Sequence, residues 1–186
     1  MTNIIIIHGS YGRPNENWFP WLKSELEKLK CNVFVPKFPT PENQSLESWK
    51  KAFEEYKQYV DENTILVGHS LGPAFLLDLL ENLDKPVKSA FFISGFLGLL
   101  DNSDLDEINK TFTDRDFEWK KIKQNCNKFY IYHSDNDPYV PMERATEFAE
   151  KLDSKVIEIK NAGHLNEEAG YNKFELLLED IKKSLE

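Results

Sequence analysis

Short runs of apolar, mostly β-branched residues alternate along this chain with segments whose apolar positions recur every three to four residues. Asn3–Ile7 reads as a buried strand ending near Gly9, and Asn32–Val35 as a second strand closed by Pro36. Between them, Trp18, Trp21, Leu22, Leu26 and Leu29 share one face of a helix over about 18–29. Leu46, Trp49, Phe53, Tyr56 and Val60 predict a second amphipathic helix. Thr64–Val67 is a third strand, followed over 71–83 by a segment apolar on most sides, which fits a helix buried against a sheet. Val87–Ile93, Phe129–His133 and Lys155–Ile159 complete six strands, and helices over about 141–152 and 172–185 follow the last two. Strands that are apolar without alternation are covered on both faces, so the expected fold class is α/β: a three-layer α/β/α sandwich with a mainly parallel sheet of about six strands.

One stretch breaks the rhythm. Residues 95–127 begin apolar, at Phe96, Leu97, Leu99 and Leu100, and then become strongly charged. A connection this long inside one domain is usually functional, so 95–127 is expected to act as a short lid, with part of it helical near 116–123. No repeat, low-complexity tract or linker interrupts residues 1–186, and one domain is expected.

Composition adds limits. The 186 residues are 40% hydrophobic and 30% charged, with 13% aromatic residues, which excludes a disordered chain. The formal charge of −9 repels phosphate backbones and anionic membranes, so neither nucleic acid nor membrane is an expected partner. No apolar run approaches a membrane span. The Ile4–Ile7 run is too short for a secretion signal, and a cytoplasmic location is expected. Cys31 and Cys126 have no C-x-x-C spacing and read as two reduced thiols.

The candidate chemistry starts at Gly68-His69-Ser70-Leu71-Gly72, a G-x-S-x-G pattern. It directly follows the third strand and opens the next helix, the context in which such a turn pushes a serine hydroxyl out above the sheet. Pro73 fits the first helical turn. A serine needs a base, and of four histidines only His164 follows both Ser70 and the acidic candidates, in the order Ser, acid, His. His8 reads as a structural histidine under the first loop, His69 as packing beneath the elbow, and His133 as a satisfied polar residue at a strand end. Asp135 and Asp137 both follow the fifth strand. Asp137 is favoured because Pro138 restrains it and Pro141 opens the next helix, whereas Asp135 suits a turn cap.

A tetrahedral intermediate requires two preset donors. The Leu71 backbone N–H is one expectation, and the Ser10 N–H, with Tyr11 as alternative, is the other. Tyr11, Trp18, Phe96, Leu97 and Leu99 are candidates for a substrate pocket, with core packing the alternative for Trp18 and Leu99.

Taken together, the opening strand with His8-Gly9, the Trp18-Phe19-Pro20-Trp21-Leu22 helix start, Trp49, the 68–72 turn, Ser94-Gly95-Phe96, Asp137-Pro138-Tyr139-Val140-Pro141 and Gly163-His164-Leu165-Asn166 resemble the α/β-hydrolase superfamily. The closer resemblance is to the small serine hydrolase family of retinoblastoma-binding protein 9, over nearly the whole chain. It implies a minimal sheet without the superfamily's first antiparallel strands or large cap domain, and a triad at Ser70, Asp137 and His164. The L-x-C-x-E sequence linked with retinoblastoma binding in the human relative is absent, since Leu29-Lys30-Cys31-Asn32-Val33 lacks the glutamate, and no protein partner is inferred. The expected activity is hydrolysis of a small-molecule ester, thioester or amide through an acyl-enzyme, with no metal or organic cofactor. The alternatives are an acyltransferase or peptidase on the same residues, or a binding protein that kept the fold and lost the activity.

Overall fold

The computed structural model describes residues 1–186. Its strands are β1 (Asn3–Ile7), β2 (Asn32–Phe34), β3 (Ile65–His69), β4 (Ser89–Ile93), β5 (Phe129–Ser134) and β6 (Val156–Ile159). They form one sheet in the order β2-β1-β3-β4-β5-β6, and every neighbouring pair is parallel.

The continuous apolar runs are explained by the pleat. Successive side chains leave a strand on opposite faces. Ile4 and Ile6 therefore join Ile65, Val67, Phe91 and Ile93 in one core, while Ile5 and Ile7 join Leu66 and Phe92 in the other. Helices α1 (Phe19–Lys28) and α7 (Glu175–Leu185) cover the first face through Phe19, Leu22, Leu26, Leu177 and Ile181. On the opposite face lie α2 (Leu46–Phe53), α3 (Gly72–Glu81), α4 (Ser103–Thr113), α5 (Trp119–Gln124) and α6 (Met142–Lys151), contributing Trp49, Phe75, Phe112, Ile122 and Phe148 among others. The expected three-layer sandwich is present. Each fully buried large side chain contributes roughly 1.5–3 kcal/mol relative to exposure.

Three expectations need correction. The helix expected over Leu46–Val60 is α2 only to Phe53, and a 3-10 segment, Glu54–Tyr59, follows. Its tighter pitch carries Tyr59 onto Phe34, with ring centroids 4.2 Å apart. Leu29 is exposed, because α1 stops at Lys28 and Lys30 turns the chain with a φ of 63°. Residues 95–127 are not irregular: they hold α4 and α5, the latter overlapping the expected helical part. Asn102 caps α4 by accepting the Leu105 N–H at 3.2 Å, and Asp106 accepts the N–H groups of Leu100 and Asn102.

The chain runs outward from β1 to β2 in one direction and from β3 to β6 in the other. The reversal between β1 and β3 opens a crevice at the carboxyl ends of those strands, where open α/β sheets bind ligands. No helix is long and apolar enough to cross a membrane. Both cysteine thiols are free and buried.

Candidate active site

Ser70 sits at the β3–α3 turn with a φ of 59°, a left-handed conformation that costs a non-glycine residue on the order of 1–3 kcal/mol. The surroundings fix it there. The Ser70 N–H donates to the Ile93 carbonyl at 2.9 Å. Gly72 lies so close to β1 that an added Cβ would stand 2.6 Å from the Ile7 carbonyl oxygen. Gly9 is equally constrained, since a Cβ there would lie 2.6 Å from Ser70 Cβ. The Ser70 side chain is thus seated in the gap left by a glycine in the loop after the neighbouring strand β1. It borders a cavity of about 710 Å³.

His164 borders the same cavity. Its Nδ1–H donates to Asp137 Oδ2 at 2.8 Å, which leaves Nε2 as the basic nitrogen. The other carboxylate oxygen of Asp137 accepts the N–H groups of Tyr139 at 2.9 Å and Val140 at 3.0 Å. Burial pushes the Asp137 carboxyl upward, but the hydrogen bond and charge of His164 with the two backbone donors outweigh it, and the net shift is downward. Tyr139 packs edge-on to the His164 ring at 5.0 Å. Ser70 and His164 share the cavity without a direct hydrogen bond, as is common for such pairs before substrate tightens the geometry.

The loop carrying His164 is itself strained: Asn161, Gly163 and Leu165 all have φ between 51° and 54°. Three consecutive residues, from the last of β5 onward, hold it. Ser134 Oγ accepts the Ala162 N–H at 2.9 Å, Asp135 accepts the Asn161 N–H at 2.7 Å, and Asn136 Oδ1 accepts the Gly163 N–H at 2.8 Å. Asp135, which also pairs with Lys160, therefore binds the backbone of this loop, and the residue bonded to the imidazole is Asp137. From the other side, His69 Nε2–H donates to the His164 carbonyl at 2.9 Å and Trp18 Nε1–H to the Leu165 carbonyl at 3.0 Å. Burial first, and the nearby His164 second, lower the His69 pKa to about 3, so it holds this carbonyl as a neutral ring.

The candidate anion donors are free. The N–H groups of Ser10 and Leu71 bond to nothing within the protein, whereas the Tyr11 N–H is taken by Thr40 Oγ1 at 2.6 Å. Of the two residues weighed for the second donor, Ser10 is the one with capacity to spare. The peptide unit carrying its N–H is held through the Gly9 carbonyl, which accepts from Gly12 N–H at 3.1 Å and His8 Nδ1–H at 2.8 Å. The Phe38 N–H donates to His8 Nε2 and so selects that tautomer. His8 is structural, as expected. His133 departs from expectation: its Nε2–H reaches the Val140 carbonyl at 2.8 Å, but its buried Nδ1 has no partner.

The pocket expectation is only partly met. Tyr11 and Phe96 line the cavity, joined by Leu100, Leu105, Tyr139 and Val140, which were not among the pocket candidates. Trp18 is wholly buried beside Phe19, His69 and Phe174, its indole N–H spent on the His164 loop. Leu97 packs against the core and lines a separate shallow depression beside Trp119. Leu99 is 44% exposed outside the cavity. The roles of His69, Trp18 and the Ser134–Asn136 run were missed. The only advance signal was three small polar residues in a row after a strand, a type that bonds nearby backbone. No group of three or more His, Cys, Asp or Glu side chains comes together as a metal site.

Comparison with known proteins agrees with this architecture. The profile described as serine hydrolase matches residues 4–183. YdeN of Bacillus subtilis (strain 168) is 32% identical over 171 residues, covering 90% of this chain and 88% of that protein. The serine hydrolase RBBP9 of Rattus norvegicus is 27% identical over 166 residues, covering 88% and 87%. The crystal structure of the B. subtilis ydeN gene product superposes with a TM-score of 0.92 over 99% of this chain and 98% of that one, at 27% identity. Est1E of Butyrivibrio proteoclasticus, solved with ferulic acid, shares the fold at a TM-score of 0.73 and 17% identity, over 98% and 87%.

Proposed function

The chain belongs to the serine hydrolase family and is a hydrolase, and from that premise we propose that Ser70, His164 and Asp137 form its catalytic triad and cleave a small carboxylic ester, thioester or amide. The observation that carries this reading is the buried Asp137–His164 hydrogen bond at the rim of the cavity that the strained Ser70 also borders. His164 Nε2 takes the Ser70 proton as Oγ attacks the carbonyl carbon. The carbonyl oxygen becomes an oxyanion facing the Ser10 and Leu71 N–H groups, at the start of α3, where the helix dipole adds to their effect. His164 then gives that proton to the leaving group, and the acyl group stays on Ser70. Water, deprotonated by His164, attacks the acyl carbon, and the acid leaves as the proton returns to Ser70 Oγ. Asp137 keeps its charge throughout and stabilises the imidazolium. These steps draw only on side chains and backbone of this chain.

Phe96, Leu100, Leu105 and Val140 suit an apolar acyl group of modest size. An ester is the preferred substrate class, in keeping with the ferulic acid complex of Est1E. The catalytic domain in this reading spans 1–186, with the part of 95–127 from Phe96 to Asn109 bordering the cavity, and it acts in the cytoplasm on a small molecule. A fluorophosphonate probe tests the assignment. The wild type should gain one adduct on the Ser70 peptide, and Ser70→Ala should gain none. Equal labelling of both proteins would remove Ser70 as nucleophile.

A further inference from the structure

Polar side chains from three distant segments meet beside the loop after β1. Ser10 Oγ–H donates to Asn109 Oδ1 at 2.6 Å and accepts from Gln44 Nε2–H at 2.9 Å. Gln44 Nε2 also reaches Asn109 Oδ1 at 2.9 Å and the Ile108 carbonyl at 3.1 Å. Thr40 closes the cluster, donating from Oγ1 to Gln44 Oε1 while accepting the Tyr11 N–H. Asn109 lies within α4 and is 3% exposed. Asparagine is a poor helix-interior residue, and burying its amide costs free energy unless it is bonded. Its placement is accounted for by what it holds.

What it holds is the residue with the unspent N–H. The peptide unit bearing the Ser10 N–H is fixed at its carbonyl end by His8 and Gly12. At its other end the Ser10 side chain has both its proton and a lone pair engaged, and the next peptide unit is fixed by Thr40. Ser10 therefore cannot turn its N–H without breaking bonds to Asn109 or Gln44. A donor fixed in this way needs no reorganisation when negative charge develops in front of it.

We propose that Asn109 and Gln44 are positioning residues, which aim the Ser10 N–H through the Ser10 hydroxyl and thereby couple α4 to the oxyanion hole. The proposal rests on the reading of Ser10 as an oxyanion donor. The same helix lines the cavity through Asp104, Leu105 and Asn109 itself, so a shift of α4 that accommodates a substrate is transmitted to the hole.

The test compares wild type with Asn109→Leu, Asn109→Asp, Ser10→Ala and Ser10→Thr. It measures kcat and KM on a short-chain p-nitrophenyl ester, and inhibition by a trifluoromethyl ketone, whose adduct carries an oxyanion. Misaiming a donor should cost less than the roughly 10²–10³-fold seen when one is deleted, so Asn109→Leu and Ser10→Ala should lower kcat about 10- to 100-fold. KM should stay within about twofold and ketone affinity should fall in step with kcat, as expected when only transition-state binding is lost. Asn109→Asp keeps the acceptor and Ser10→Thr keeps the hydroxyl, so both should recover most of the loss. A kcat unchanged in Asn109→Leu and Ser10→Ala, with Ser70→Ala inactive, overturns the positioning role and leaves the nucleophile standing. Wild-type turnover that survives Ser70→Ala overturns both. If Asn109→Leu does not fold, Ser10→Ala decides, since it deletes a single oxygen.

Discussion

On the β5–β6 flank of the cavity, four consecutive residues, Ser134 to Asp137, each hold one of four consecutive residues, Asn161 to His164. On the β1–β3 flank the groups proposed to react are unengaged: the Ser70 hydroxyl and the N–H groups of Ser10 and Leu71 have no partner in the protein. Both flanks carry left-handed residues, so strain does not separate them. The difference lies in what each must do. The first keeps an imidazole in one tautomer and one orientation, and one acceptor from each of Ser134 to Asp137 serves that end. In the proposed mechanism the second must meet a charge that exists only during reaction, so its scaffold is bonded and the N–H groups assigned to the oxyanion are left open.

The largest effect that could break this contrast is expected at Asp137. Asp137→Asn preserves shape but permits the wrong His164 tautomer, and kcat should fall by about 10³–10⁴-fold in steady-state assays with the fold retained by circular dichroism. Near-normal turnover would mean that the saturated flank is only structural. A smaller effect is expected one residue earlier. Asn136→Ala frees the Gly163 N–H and leaves His164 bonded, so kcat should drop on the order of tenfold with little change in KM. A rise in KM alone would place Asn136 in substrate binding instead.

The smallest effect concerns stability. His8, His69 and His133 are all held below the ordinary histidine pKa by burial, His69 at about 3. The unfolded chain therefore binds more protons below pH 6.5, and stability falls as pH drops from there toward 3. The Asp137 carboxyl is shifted downward, so its contribution is complete above the ordinary carboxylate range and is lost as pH falls through its lowered pKa. Thermal melts should show Tm declining from pH 6.5 to 4, and His69→Gln should flatten the decline by up to about 1.4 kcal/mol per pH unit. An unchanged slope would show that His69 titrates normally.

Much of this architecture was readable in advance, for physical reasons. Strands covered on both faces must be apolar throughout, so Ile4–Ile7 and Phe91–Ile93 announce themselves. Chain order and the turn chemistry around them point to Ser70, Asp137 and His164, and the structure places Ser70 and His164 at one cavity with Asp137 bonded to His164. Helix α4 escaped because its eleven residues hold few apolar anchors, and two of its three buried positions are polar, Asn109 and Thr113. Trp18 was ambiguous because its distinguishing contact is with Leu165, 147 residues away. Hydrogen bonds between distant loops leave no periodic trace, so the bonds that present His164 and Ser10 become visible only in three dimensions.

The claim beneath all of this is that Ser70 and His164 act as one unit. Its most direct test is the kcat of Ser70→Ala, His164→Ala and the double variant on one ester. Each single substitution should lower kcat by about 10⁴-fold or more, and the double variant should be no worse than the poorer single one. Losses that multiply in the double variant would show two independent groups and contradict the triad.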